Sequence, residues 1–133
     1  MTVSDDITNT FKTLIPPYGK KVYAFTIMLN KQSEMQLEKV IDNTKTYSDA
    51  LELLPENESR LLVTNFEFKA DDGRKISKIL LIVWNPITAP SAQKLTYTTA
   101  SFSLKAKLTQ INKTVQASDK NILQIDELKL SVH

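Results

Sequence analysis

The side chains with the most obvious chemical use are cations concentrated in one part of the chain. Residues 73–118 hold seven Lys and Arg residues and no Asp or Glu, whereas residues 1–72 hold 8 Lys and Arg against 12 Asp and Glu. A block of one charge sign reports on the binding partner, because it attracts ligands of the opposite charge. The sequence therefore predicts a basic face for an acidic partner, with protein, phosphoinositide and nucleic acid all open at this point.

Catalytic chemistry has few residues to use. The chain has no Cys and a single His, the C-terminal His133, which argues against thiolate nucleophiles, a histidine triad and a multi-histidine metal site. Two glycines, Gly19 and Gly73, cannot form a glycine-rich phosphate loop. No carboxylate pair stands in a recognisable catalytic context. We predict a protein that is not an enzyme and needs no metal or cofactor.

The elements that must position these cations follow the order helix, strand, strand, helix, strand, strand, helix, strand, helix. Residues 22–29 and 76–84 are apolar on both alternating faces, which is typical of strands covered on both sides. In the first strand, one face is assigned to Tyr23, Phe25, Ile27 and Leu29, and the other to Val22, Ala24 and Met28. The order predicts an α/β (α+β) fold with a central, mixed, mostly antiparallel sheet between helices.

The longest predicted helix runs from about residue 90 to 109, directly after Trp84 and a proline-containing turn. Thr88 or Ser91 is expected to cap it, with Pro90 in its first turn. A core-facing stripe is predicted at helical spacing: Tyr97, Ala100, Leu104 and Leu108.

Length and termini fit a small soluble protein. The 133 residues suit a single domain spanning residues 1–133, and the N-terminus lacks the features of a signal peptide. No apolar run is long enough to span a membrane. We expect an intracellular, monomeric protein.

Residues 77–108 read SKILLIVWNPITAPSAQKLTYTTASFSLKAKL and resemble the signature of the ADF/cofilin family. In that family a buried strand ending in Trp runs through a P-x-T-A-P turn into a long helix containing K-M-x-Y. The matching positions are Trp84, Pro86, Thr88, Ala89, Pro90, Lys94, Leu95 and Tyr97. A second segment, residues 54–68, resembles the family's LPEN…D-F-E-Y stretch. The first twenty and last fifteen residues match poorly.

The resemblance implies the actin-depolymerising-factor homology fold and an actin-binding protein of the cytoplasm and cytoskeleton. It would bind actin monomers and filaments, usually in the ADP state, and promote filament disassembly. The monomer site that the resemblance implies comprises Lys94, Leu95, Thr98, Ser101, Phe102 and Lys105. We expect Lys94, Thr98, Ser101 and Lys105 to share one polar, basic helix face.

Two site residues depart from the family pattern. Leu95 stands where the family usually has Met, and it is interpreted either as an anchor for an apolar cleft or as a core contact. Phe102 stands where the family commonly has Asp, and it is either an added apolar contact or folded back onto the domain.

A second, filament-only site is implied around the start of the fourth strand and in the final helix, predicted over residues 121–130. Its candidates are Arg74, Lys75, Lys78 and Lys129. Because the hairpin and final helix are short and Ile76 replaces a usual basic residue, we predict a weaker filament site beside a better preserved monomer site.

The family's leader, with its regulatory phosphorylatable Ser, has no clear counterpart. Ser4, before Asp5 and Asp6, is interpreted first as a helix N-cap and second as a phosphorylation site; Thr2 is the weaker candidate.

Two alternatives stay open. A glia-maturation-factor-like or coactosin-like protein would share the fold and act on the Arp2/3 complex or on filament sides. A phosphoinositide-binding module would use the same basic face, and the phosphoinositide would compete with actin for it. Nucleic-acid binding is not expected, because the basic block has few aromatic residues for base stacking.

Overall fold

The computed structural model describes residues 3–14, 22–42, 44, 46–69 and 72–124, within which lie eight helices and strands. They are α1 (Asp5–Leu14), β1 (Val22–Leu29), β2 (Met35–Asp42), α2 (Tyr47–Glu52), β3 (Arg60–Lys69), β4 (Lys75–Trp84), α3 (Ser91–Lys107) and β5 (Lys113–Ala117). The predicted order is confirmed for these eight. Of the predicted final helix, residues 121–124 form turns, and the remainder lies outside the described residues.

The strands form one five-stranded sheet in the order β2-β1-β3-β4-β5. The β2–β1, β1–β3 and β3–β4 pairs are antiparallel, and β5 joins β4 in parallel. The sheet is therefore mixed and mostly antiparallel, as predicted. The parallel pair requires a crossover between β4 and β5, and α3 makes it.

Each face of the sheet carries its own core. Helices α1 and α3 cover one face, where Ile7, Phe11, Phe25, Leu81, Tyr97 and Leu104 pack together. Helix α2 covers the other, where Tyr47, Leu51, Leu62, Phe66, Ile82 and Trp84 pack together. Because both faces are covered, β3 and β4 need apolar residues at successive positions. No helix in the described part of the chain is long and apolar enough to cross a membrane.

One prediction about β1 is wrong. The β1–β2 register shifts between Val22 and Ala24, and this irregularity turns Tyr23 toward the α2 side, where it packs with Ala24. Val22 packs instead on the α1–α3 side. A bulge places two successive side chains on one face and so breaks simple alternation.

The turn that leads into α3 also differs from expectation. Pro90 occupies the N-cap position, and no side chain caps the helix. The Thr88 hydroxyl donates instead to the Glu56 carbonyl at 3.2 Å and to Asn57 Oδ1 at 2.6 Å. Neither Thr88 nor Ser91 is therefore the cap, and Pro90 precedes the first turn. Trp84 is buried as predicted, and its Nε1 donates to the Pro55 carbonyl at 2.6 Å.

A candidate binding face on the longest helix

Helix α3 has a buried side and, opposite it, an exposed side that carries apolar residues. The predicted core residues Tyr97, Ala100, Leu104 and Leu108 are all buried. Leu95 and Phe102 are 70% and 66% exposed. At about 100° per residue they project almost directly away from the core stripe, two turns and about 10 Å apart along the axis. The interpretations of Leu95 as a core contact and of Phe102 as folded back onto the domain are therefore both wrong.

A third exposed apolar side chain lies in the turn before α3, where Ile87 is 74% exposed. The ammonium group of Lys94 donates to the Ile87 carbonyl at 3.0 Å, which joins this turn to the first turns of the helix. We call Leu95 and Phe102 the apolar row. The exposure of Ile87 was not predicted from the sequence. The available signal was its position between a strand and a helix, where a side chain belongs to the buried face of neither element.

Two cations lie along one side of the apolar row. Lys94 is half-buried and Lys105 is exposed. They are eleven residues apart, which places them on one side of the helix at a spacing of about 16 Å along its axis. Long cationic side chains beside exposed apolar groups can orient an acidic partner while the apolar groups supply contact area.

The other two residues assigned to the basic face make hydrogen bonds within the protein. Ser101 is buried, at 3% exposure, and its hydroxyl donates to the Thr98 carbonyl at 2.6 Å. Thr98 is half-buried; its hydroxyl donates to the Lys94 carbonyl and accepts from the Asn85 side chain. Ser101 is therefore covered, whereas Thr98 is half-buried like Lys94. The assignment of Thr98 and Ser101 to the binding face stays a prediction.

The hairpin cations are largely engaged within the chain. Arg74 Nε lies 2.7 Å from Asp72 Oδ2, and Lys75 Nζ lies 2.9 Å from Glu67 Oε2. Lys78 is half-buried, opposite Phe66 in the β3–β4 ladder. Lys129 lies outside the described residues. Two of the described candidates for the filament site therefore carry charge that a neighbouring carboxylate offsets.

The backbone of Ser4 occupies the N-cap position of α1, while capping by its hydroxyl stays a prediction. Ser4 directly precedes α1, and its carbonyl accepts from the Thr8 backbone N–H at 3.2 Å and from the Thr8 hydroxyl at 3.3 Å. Asp5 and Asp6 occupy the first turn, where carboxylates complement the helix dipole. Thr2 lies outside the described residues.

A buried ion pair on the α2 side was not predicted. Arg60 Nε lies 3.1 Å from Glu38 Oε1, with side chains only 10% and 18% exposed. Burial by itself lowers the pKa of Arg60, but the hydrogen bond and charge of Glu38 outweigh it and raise that pKa above its ordinary value. The pairing connects β2 to the start of β3 across β1, a neighbourhood that local sequence does not reveal.

Comparison with known proteins finds relatives along the whole chain. The family model described as "Cofilin/tropomyosin-type actin-binding protein" matches residues 1–133. Actin-depolymerizing factor 2 of Oryza sativa subsp. japonica is 31% identical over 100% of this chain and 91% of its own length. Actophorin of Acanthamoeba castellanii is 35% identical over 88% of this chain and 83% of its own length. The crystal structure of Streptomyces griseoflavus cofilin superposes with a TM-score of 0.86 at 29% identity, covering 98% of this chain and 96% of that one.

Proposed function

Because this chain belongs to the cofilin/tropomyosin-type actin-binding family, we propose that it binds actin through the exposed side of α3. The members of this family are actin-binding proteins and not enzymes. The contacting residues are Lys94, Leu95, Phe102 and Lys105, with Ile87 extending the contact into the preceding turn. The observation that carries this assignment is the exposure of Leu95 and Phe102, at 70% and 66%, on the side opposite the core.

The physical support is the combination of apolar area and unopposed charge. Large apolar side chains rarely stay exposed in a row unless a partner covers them. The 73–118 segment contains no acid, so no neighbouring side chain in that segment neutralises Lys105. Apolar anchors with flanking cations suit a helix that inserts into an apolar cleft with an acidic border.

We further propose that the protein binds monomers, with the family's preference for ADP-actin, more strongly than filaments. The carboxylates of Asp72 and Glu67 beside Arg74 and Lys75 support this order, because they reduce the net positive charge that the hairpin presents to a second actin subunit. Its role would then be filament disassembly and turnover in the cytoplasm. Relatives above 30% identity that are named as actin-depolymerizing factors support this branch over a glia-maturation-factor-like or coactosin-like role.

The decisive experiment is a fluorescence titration of labelled ADP-actin monomers with the wild type and with Lys94→Ala/Lys105→Ala. We expect weaker binding by the double variant, with the deficit shrinking as salt is added, because screening weakens the wild-type contact. Lys31→Ala/Lys39→Ala is the matched control, since both lysines are exposed and lie at or beside β2. Equal affinities for wild type and the α3 double variant would remove these lysines from the site.

Co-sedimentation with filaments tests the proposed order of affinities. We expect little protein in the pellet at concentrations that saturate monomers. Stoichiometric co-sedimentation with rapid severing would contradict the weakened filament site.

A competing ligand is a second proposal. Lys105 and Lys107 on α3 and Lys113 at the start of β5 are exposed in the acid-free segment. Phosphoinositide headgroups would be drawn to these charges. Vesicles containing phosphoinositide should therefore displace the protein from actin monomers, whereas vesicles of neutral lipid should not. Displacement by neither vesicle would exclude this competition.

A further inference from the structure

The N-terminal half of α3 is poorly stabilised by its own sequence. Pro90 leaves the helix without a side-chain cap, and no acidic residue lies in the first turn. Three β-branched residues follow within four positions, at Thr96, Thr98 and Thr99, and these have lower helix propensity than unbranched side chains. The turns that carry Lys94 and Leu95 therefore need support from the rest of the molecule to hold one orientation.

A chain of side-chain hydrogen bonds supplies that support. The Ser59 hydroxyl donates to Asn85 Oδ1 at 2.6 Å, and Asn85 Nδ2 donates to the Thr98 hydroxyl at 3.1 Å. The Thr98 hydroxyl in turn donates to the Lys94 carbonyl at 2.8 Å. A parallel contact joins the Ser59 backbone N–H to Gln93 Oε1 at 2.7 Å. The first turns of α3 are thus bonded to the segment that begins β3.

Two residues of this series of hydrogen bonds, Ser59 and Asn85, are held firmly by the sheet. Ser59 is completely buried, immediately before β3. Asn85 directly follows Trp84, and its backbone N–H donates to the Ala117 carbonyl at 2.9 Å, which extends the β4–β5 pairing by one bond. Both residues are therefore held by the sheet, and their hydrogen bonds hold the helix in one orientation relative to the sheet.

We infer that Ser59, Asn85 and Thr98 are positioning residues that fix the orientation of Lys94 and Leu95 for binding. This inference rests on the proposed binding of actin through α3. None of the three residues needs to touch actin, because each acts through the Lys94 carbonyl and the turn around it. Pre-organising a contact helix raises affinity by reducing the ordering cost of association.

Thr98→Val provides the sharpest test, because it keeps the side-chain shape and removes the hydroxyl that accepts from Asn85. Thr96→Val is its matched control: the Thr96 hydroxyl donates to the Ala92 carbonyl at 2.8 Å, the same local bond four residues back, without a contact to Ser59 or Asn85. We expect Thr98→Val to bind ADP-actin monomers about three- to tenfold more weakly, and Thr96→Val to bind as wild type. Asn85→Ala gives a second variant that breaks the chain at its centre.

Two further measurements separate positioning from general stability. The double variant Asn85→Ala/Thr98→Val should bind no more weakly than Asn85→Ala alone, because both changes break one chain. Amide hydrogen exchange over residues 91–99 should be faster in Thr98→Val than in Thr96→Val, and unchanged over residues 101–107. This second readout needs no actin.

The outcomes distinguish this inference from the proposed function. If the wild type binds actin monomers and both Thr98→Val and Asn85→Ala bind equally well, the positioning inference is overturned and the binding function stands. If the wild type does not bind actin monomers, the proposed function is overturned, and the role in binding is overturned with it. Equal amide exchange in Thr98→Val and Thr96→Val would overturn the ordering of the helix in either case.

Discussion

Phe102→Ala tests whether the apolar row contacts actin, and its effect on stability should be small. Fully burying a Phe side chain contributes about 1.5–3 kcal/mol, so the one-third of Phe102 that is covered contributes about 0.5–1 kcal/mol. Ala has the higher helix propensity, by about 0.5 kcal/mol. The two terms nearly cancel, and the free energy of unfolding should change by less than about 0.5 kcal/mol.

The effect on binding should be much larger than the effect on stability. Phe102 is 66% exposed, and complete coverage of that part by a partner would contribute about 1–2 kcal/mol. Affinity for actin monomers should therefore fall about five- to thirtyfold. Leu95→Ala should show a loss of the same order, since Leu95 is 70% exposed on the same side of α3.

The assay combines a fluorescence titration of actin monomers with urea unfolding of each variant. Val40→Ala is the control: Val40 is 46% exposed but lies on β2, at the sheet edge opposite β5. We expect it to leave actin affinity unchanged. Affinity of Phe102→Ala within twofold of the wild type, with Leu95→Ala clearly weakened, would refute the reasoning that exposure on this side marks the contact.

Three further predictions concern the fold. Trp84→Phe removes the hydrogen bond to the Pro55 carbonyl and some core volume, and should lower the free energy of unfolding by about 2 kcal/mol in urea; an unchanged value would contradict a structural role for that bond. Burial, followed by the charge of Glu67, raises the pKa of Tyr23 to about 12. The contribution of Tyr23 to the free energy of unfolding should therefore be fully present below about pH 10 and be lost between about pH 10 and 12. An equal loss of stability in Tyr23→Phe over this range would show that another group causes it. Gly73 has φ +88°, and a Cβ added there would meet no atom within 4 Å, so Gly73→Ala should cost about 1 kcal/mol from backbone strain alone, and Gly73→Asn less, as urea unfolding would show.

Much of the fold follows from short-range pattern. The strands that are apolar on both faces, the core stripe of α3 and the Gly73 turn are each encoded within about a dozen consecutive residues. Side-chain period and turn chemistry are local properties, so the sequence was sufficient to predict them. The order of elements, with a crossover helix before the last strand, then restricts the sheet to few arrangements.

The candidate site divides differently. The sequence indicated Lys94, Leu95, Phe102 and Lys105 correctly as residues of one helix. It could not tell whether Leu95 and Phe102 faced the core or the solvent, because both are apolar and lie near the polar stripe. Only the packing of α3 on the sheet decides that Ser101 is covered while Phe102 is exposed.

The sequence by itself determined the sheet covered on both faces, the long basic helix and the proline turn before it, because each depends on the spacing and type of neighbouring residues. Tertiary structure alone decided the partners of those polar side chains that bond to residues far away in the sequence. Arg60 meets Glu38 across 22 positions, Asn85 meets Ser59 across 26, and the Tyr97 hydroxyl accepts from the Leu29 backbone N–H across 68. A polar side chain that leaves water must find a hydrogen-bond partner wherever the fold provides one. That partner is selected by the packing of whole helices and strands, and no local spacing records it.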